Sequence, residues 1–342
     1  MKSKILKQNR RSFLKRSSSA LVGIGLVTLG GFSNVGCGKD NVDDENNGNP
    51  DEDGNNNNPR EGESNVNPFN FETKTVLLNS GYEMPIIGIG TYRLSTTQAE
   101  ASVYSALKTG MRLIDTADIY GNETGVARGI QRAIQDFGIL REEIFVTTKL
   151  WTSEFDRADE EINQRLERLE LDYIDLLLLH HTAPNDISAY LAMERGVQAG
   201  KLRSIGISNF YENDVDRLMN SAAIAPAVLQ NETHLYNQSI SVKNHIASLG
   251  TLLESWYPLG GRGTGIQTLS THQTVNGIAT QHNKTPYQVL LRWHLQSGNI
   301  AIPGSTNEAH ITEDYAIFDF ELTDAEIQTL NTLDRQQRFS TY

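Results

Sequence analysis

The 342-residue chain has one cysteine, no apolar run long enough to span a bilayer, and no G-x-G-x-x-G after a first strand. Basic residues are also scarce, with 30 Lys and Arg against 42 Asp and Glu. Each lack excludes something. A lone cysteine, Cys37, cannot close an internal disulfide. The apolar run from Ala20 to Phe32 has thirteen residues, short of the roughly 18 that a membrane-spanning helix needs. Without the glycine fingerprint, a doubly wound dinucleotide-binding sheet loses its main signal. A net charge of −12 makes the chain a poor ligand for nucleic acid or for an anionic membrane surface.

What is present begins with "KQNRRSFLKRSSSALVGIGLVTLGG". Seven Lys and Arg fall within the first sixteen residues, with no acid among them. A basic end followed by a short apolar stretch reads as an export signal rather than as structure. The Arg10–Arg11 pair in "RRSFLK" resembles the twin-arginine signal, whose route carries proteins already folded, often around a cofactor. "SNVGC" then resembles a lipoprotein cleavage site, with Asn34 where that pattern usually has Leu. Lipid on Cys37 is the expectation, and an incidental thiol is the alternative. The protein is therefore expected to be exported, periplasmic or at the cell surface, and held to the membrane through Cys37 alone.

Residues 1–36 thus read as signal, 37–66 as tether and 67–342 as the folded body. The stretch "GKDNVDDENNGNPDEDGNNNNPREGESN" has nine acids, two bases and almost nothing apolar. It cannot bury enough surface to offset its ordering entropy. The leader contributes +7 and this stretch −7 to the chain's −12, which leaves the body near −12.

The body suits one α/β barrel in length. Eight strand-length runs, "IIGIG", "RLID", "IFVTTK", "IDLLLLHH", "RSIGIS", "AVLQNE", "LLESW" and "NIAIPG", alternate with stretches of helical spacing such as "ETGVARGIQRAIQDFG". That alternation predicts a closed parallel (β/α)8 barrel of the TIM type. Ahead of it, "TVLLNSGYEM" predicts a hairpin turning at Asn79-Ser80-Gly81 and closing the barrel floor.

Active sites in such barrels lie at the C-terminal ends of the strands. The second run ends in Asp115, the third in Lys149 and the fourth in His180, while Tyr120 follows Asp115 by five residues. Singly, each has a bland explanation: a helix cap, a solvated lysine, a structural histidine. Four on one rim weaken that explanation. Together, "GMRLIDTADIYGNE", "TTKLW", "LDYIDLLLLHH", "IGISNF", "PAVLQNETH" and "IPGSTNEAHITED" resemble, in this order, the aldo-keto reductases from about Lys74 to Leu333. The resemblance implies Asp115, Tyr120, Lys149 and His180 as the catalytic four, a nicotinamide dinucleotide (NADP or NAD) as cofactor, and a small-molecule carbonyl as substrate.

Carbonyl reduction needs a hydride on carbon and a proton on oxygen. A phenol with an unperturbed pKa of about 10 is a weak acid. Lys149, kept charged by Asp115, is expected to lower the pKa of Tyr120, and His180 to hold the substrate oxygen. The resemblance also places Ser208, Asn209 and Gln230 on the nicotinamide carboxamide, and Trp256 on the ring where the family usually has Tyr. Leu259, Gly260 and Gly261 would approach the pyrophosphate, and Ser305 and Thr306 a phosphate at a helix start. Around the last strand Gly304 and His310 replace a Lys and an Arg that hold the NADP phosphate, Glu313 is retained, and Asp314 stands where the family often has Asn. Tyr92 and Trp151 match aromatic substrate positions, and His181 makes one side more polar. The chain ends soon after the last helix, so an open site is expected. One rival is a cofactor-binding sensor or partner-binding protein with little turnover. A more distant one is a glycosidase using Asp115 and Glu232.

Overall fold

The computed structural model describes residues 67–341; the expected signal, tether and Cys37 lie outside them. Strands β1 (Thr75–Leu77) and β2 (Glu83–Pro85) form the antiparallel hairpin. The barrel strands are β3 (Gly88–Gly90), β4 (Leu113–Asp115), β5 (Phe145–Leu150), β6 (Ile174–Leu179), β7 (Leu202–Ser208), β8 (Val228–Glu232), β9 (Leu252–Trp256) and β10 (Asn299–Ala301). They pair in parallel in chain order, and a bridge between Ile87 and Ala301 joins the two ends of the sheet. The helices are α1 (Thr96–Thr109), α2 (Glu123–Phe137), α3 (Ala158–Leu169), α4 (Asp186–Gln198), α5 (Glu212–Met219), α6 (Ile240–Ala247), α7 (Thr264–Ser270), α8 (Gln273–His282), α9 (Pro286–Gln296), α10 (Glu308–Tyr315) and α11 (Asp324–Asn331). All eight runs read from the sequence are barrel strands.

The local reasons are plain. β5 and β6 are buried at every position, as strands covered on both faces must be, hence the unbroken "LLLL". α1 starts in a capping box, Ser95 with Gln98, and stops at Gly110, whose φ of 111° is left-handed. α2 lies close on α1 because it presents glycine there: a Cβ on Gly125 would sit 2.0 Å from the Thr96 carbonyl oxygen. Below the barrel, Val76, Leu78 and Met84 of the hairpin segment pack with Leu113, Leu176, Leu178 and Val228. Ser80 Oγ meets Ser204 Oγ at 2.8 Å, so the hairpin does close the floor. Truncating one of these leucines to alanine would cost about 2–5 kcal/mol.

Register carries the fold to the site. Gly90 pairs with Asp115, Ser208 with Gln230, and Gln230 with Glu254. Side chains at paired positions point the same way, so Asp115, Gln230 and Glu254 share the interior near the strand ends.

Candidate active site

At the C-terminal mouth is a cavity of about 390 Å³. Asp115, Tyr120, Trp151, His180, Ser208, Asn209, Gln230 and Trp256 are among the residues lining it. Lys149 lies beneath, fully buried, its Nζ donating to both Asp115 oxygens at 2.7 and 2.8 Å, to the Thr116 carbonyl at 2.9 Å and to Tyr120 OH at 3.3 Å. A short 3-10 turn, Asp118–Tyr120, delivers the phenol. The turn is pinned from both sides: Asp118 pairs with Arg165 and Arg168 of α3, and buried Asn122 donates to the carbonyls of Thr91 and Leu94. Tyr92 packs on Tyr120 with ring centres 5.0 Å apart, and Trp151 meets His180 edge-on at 5.0 Å.

Electrostatics here differ from expectation in one respect. The phenol of Tyr120 is pushed well above its ordinary range, by burial first and then by the Asp115 carboxylate. The sequence predicts the opposite, because an ammonium alone beside a phenol favours the phenolate. Here burial and the Asp115 carboxylate, which holds Lys149 at two points, together outweigh the ammonium while the phenol is at rest. Tyr120 therefore carries its proton in the resting site. Burial, then Lys149 and His181, hold the His180 imidazole well below its ordinary range, so it is neutral. A neutral imidazole carries one N–H to give and one bare nitrogen.

The same mouth tests whether a nicotinamide dinucleotide fits. Asn209 accepts from Trp256 Nε1 at 3.2 Å, which fixes the indole plane against the cavity. Gln230 lines the cavity with both amide hydrogens committed inward, leaving Oε1 without a partner among the described residues. Gly261, at φ 78°, forms part of the wall, and a Cβ there would run into the Tyr257 ring at 2.6 Å. A flat face, a free amide acceptor and a bare-backbone rim suit the group.

A model of the aldo/keto reductase family matches residues 86–335. The chain belongs to that family. It is 41% identical over 270 residues to an aldo-keto reductase of Mycobacterium sp. (strain MCS), covering 78% of this chain and 92% of the relative. It is 36% identical to the NAD(P)H-dependent D-xylose reductase I,II of Candida tropicalis, covering 78% and 94%. Among solved structures, the Bombyx mori aldo-keto reductase in complex with NADP superposes with a TM-score of 0.73 at 34% identity, covering 78% of this chain and 94% of that one.

For this aldo-keto reductase, the mouth gathers most of the residues named from sequence. Tyr92, His181 and Leu259 also line the cavity, while Gly260 turns beside it at φ 83°. Ser305, Thr306, His310 and Glu313 are not among the lining residues. Ser305 Oγ accepts from the Asn307 N–H ahead of α10, and Glu313 accepts from Thr285 at 2.5 Å. Glu232 cannot serve as a glycosidase partner, because the chain end occupies it. The tail after α11 returns to the C-terminal end of β8, where Arg338, Phe339 and Ser340 all bond to Glu232, though none of the three is among the residues lining the cavity. Sequence reasoning missed Tyr257, Arg262 and Ile266 in the lining. It also missed Glu254, whose signal was an acid inside a short, mostly apolar strand, "LLESW".

Proposed function

We propose that this protein reduces aldehydes or ketones to alcohols with NAD(P)H, with Tyr120 as the proton donor. The observation that carries it is the convergence of Asp115, Lys149, Tyr120 and His180 on one cavity that also fits the cofactor. The bound cofactor supplies the hydride. The chain does the rest. Burial keeps the Tyr120 proton in place until the substrate oxygen gains charge. Lys149 Nζ, 3.3 Å from the phenol oxygen, stabilises it as the proton leaves. Neutral His180 donates a hydrogen bond to the carbonyl oxygen and sets its position. Trp151, His181 and Tyr92 wall the substrate side. Tyr120→Phe keeps the ring and removes the proton, so reduction of a test aldehyde such as D-xylose should fall by roughly 10²-fold or more while NADPH still binds. A Phe variant reducing at near-parental rate would overturn the assignment, and a parent that binds cofactor without turnover would support the sensor reading.

Cofactor choice follows from charge. With Gly304 and His310 around the last strand, no Lys or Arg of that segment meets a 2′-phosphate. Charge-assisted bonds contribute about 1.5–3 kcal/mol each. Use of both cofactors is expected, with no strong preference for NADPH. The ratio of kcat/KM for NADPH over NADH checks this; a ratio above about 100 would count against it.

We infer from the leader that the enzyme is exported by the twin-arginine route and anchored by lipid at Cys37 on the acidic tether. The support is the "RRSFLK" and "SNVGC" patterns. Replacing Arg10 and Arg11 by Lys should retain the protein in the cytoplasm, and Cys37→Ser should release it from membranes. A Cys37→Ser variant that still sediments with membrane refutes the lipid.

A further inference from the structure

One buried group beneath the mouth has no part in the reduction as described. Glu254, in β9, is fully buried and sits opposite Gln230 in the ladder register. Its Oε2 accepts from Gln230 Nε2 at 2.7 Å. The same nitrogen donates its other hydrogen to Asp115 Oδ2 at 2.8 Å. Glu254 Oε1 has no hydrogen-bond partner among the described residues. A buried carboxyl with one oxygen unmatched is costly to keep, by about 1–3 kcal/mol for a neutral group and more for an ion. An acid at position 254 therefore calls for a task.

We infer that Glu254 is a positioning residue for the cofactor: with Asp115 it clamps both amide hydrogens of Gln230, so that only the carbonyl oxygen of Gln230 is offered to the cavity. One anchor leaves the amide free to turn about that single bond. Two anchors, on β4 and β9, fix its plane. The oxygen then accepts from a donor on the ligand, which in a nicotinamide is the carboxamide NH2. A ligand with a methyl ketone in that place leaves a buried acceptor unmatched and binds more weakly. This rests on the reading that the cavity takes a nicotinamide dinucleotide. It adds that Glu254 sets which side of the amide is read.

The test compares binding of NADP+ with its 3-acetylpyridine analogue, which carries methyl in place of the NH2, by quenching of tryptophan fluorescence. No turnover is needed. The parent should prefer NADP+ by about 10-fold, the equivalent of one hydrogen bond. Glu254→Gln keeps an acceptor and should preserve that preference within about 2-fold. Glu254→Met, apolar and similar in shape, should bind NADP+ more weakly and narrow the preference to below about 3-fold, because Gln230 can then turn. A merely structural role would lower the melting temperature without changing the preference. A folded Met variant with parental discrimination overturns the proposal, as does a Gln variant that loses it. Should the Met variant not fold, the parent and Gln variant still decide: a parent that binds both dinucleotides equally overturns this inference alone. A parent that binds neither overturns the proposed function with it.

Discussion

Glu232 and Glu254 stand on neighbouring strands of one barrel, both about 1% exposed or less, and the structure drives them in opposite directions. Burial would raise Glu232, but hydrogen bonds from His234, Ser340, Arg338 and the Phe339 N–H hold it at about 2. Burial, then the Asp115 carboxylate, push Glu254 up to about 8, against one bond from Gln230 and the charge of Lys149. Both are closed to solvent, yet Glu254 lies deeper inside the barrel, and it also has the smaller supply of donors. Glu232 receives five contacts within hydrogen-bonding distance and serves as the dock for the chain end. Glu254 receives one and lies in the layer beneath the proposed chemistry. A fully matched carboxylate holds structure together, whereas an under-matched one is tolerated where its neighbours need orienting.

The largest break in that comparison comes from removing the cation that the catalytic layer shares. Lys149→Met leaves Asp115 and Glu254 facing each other with no positive charge between them. Taking one partner from a buried pair costs about 3–5 kcal/mol, and Tyr120 loses its hydrogen-bond donor. Reduction should fall by about 10³-fold, within the range for acid–base machinery. The melting temperature should drop by roughly 10 °C, at 2–4 °C per kcal/mol for a domain of this size. A Met variant that melts like the parent at pH 8 would mean the layer is held by something other than this pair.

Legibility from sequence follows the same divide. All eight barrel strands were readable because each is a short apolar run, and Asp115, Lys149 and His180 were readable because each ends one. Tyr120 was found by its distance from Asp115. Relations between distant strands could not be read. Gln230 touches Asp115 across 115 residues of sequence and Arg338 reaches Glu232 across 106, and neither follows from local pattern. The direction of the Tyr120 shift failed for the same reason. It depends on burial and on where Asp115 lies beside Lys149, which is geometry and not spacing.

A smaller effect separates the two glutamates by pH. Glu232 has a folded pKa depressed from 4.5 to about 2. Its contribution is present above about pH 4.5 and is lost as pH falls toward 2. Glu232→Gln places amide hydrogens against Arg338 and Ser340. It should lower the melting temperature by roughly 5–10 °C at pH 7, flatten the acid limb, and speed trypsin cleavage after Arg338. A tail as resistant as the parental one would show that Glu232 is not its anchor.

The smallest expected effect sits on the opposite limb. Glu254 has a folded pKa raised from 4.5 to about 8, so between those values the folded protein keeps a proton that the unfolded chain has lost. Stability therefore falls as pH rises through that window. The groups acting on Glu254 are Asp115 and Gln230, with Lys149 opposing the shift by its charge, and Glu254→Gln leaves all three in place. Raising the pH from about 5 to about 8 should cost the Gln variant less melting temperature than the parent, by a few degrees, since some of the shift is shared with Asp115. Other titrating groups, Asp314 among them with burial raising it to about 7, act in both proteins and cancel in the difference. Parallel curves for parent and Glu254→Gln would mean that Glu254 is ionised throughout and that the two glutamates are alike after all. A difference confined to pH 5–8, beside one for Glu232→Gln confined to pH 2–5, would show that each glutamate titrates on its own limb, as its burial and its donors dictate.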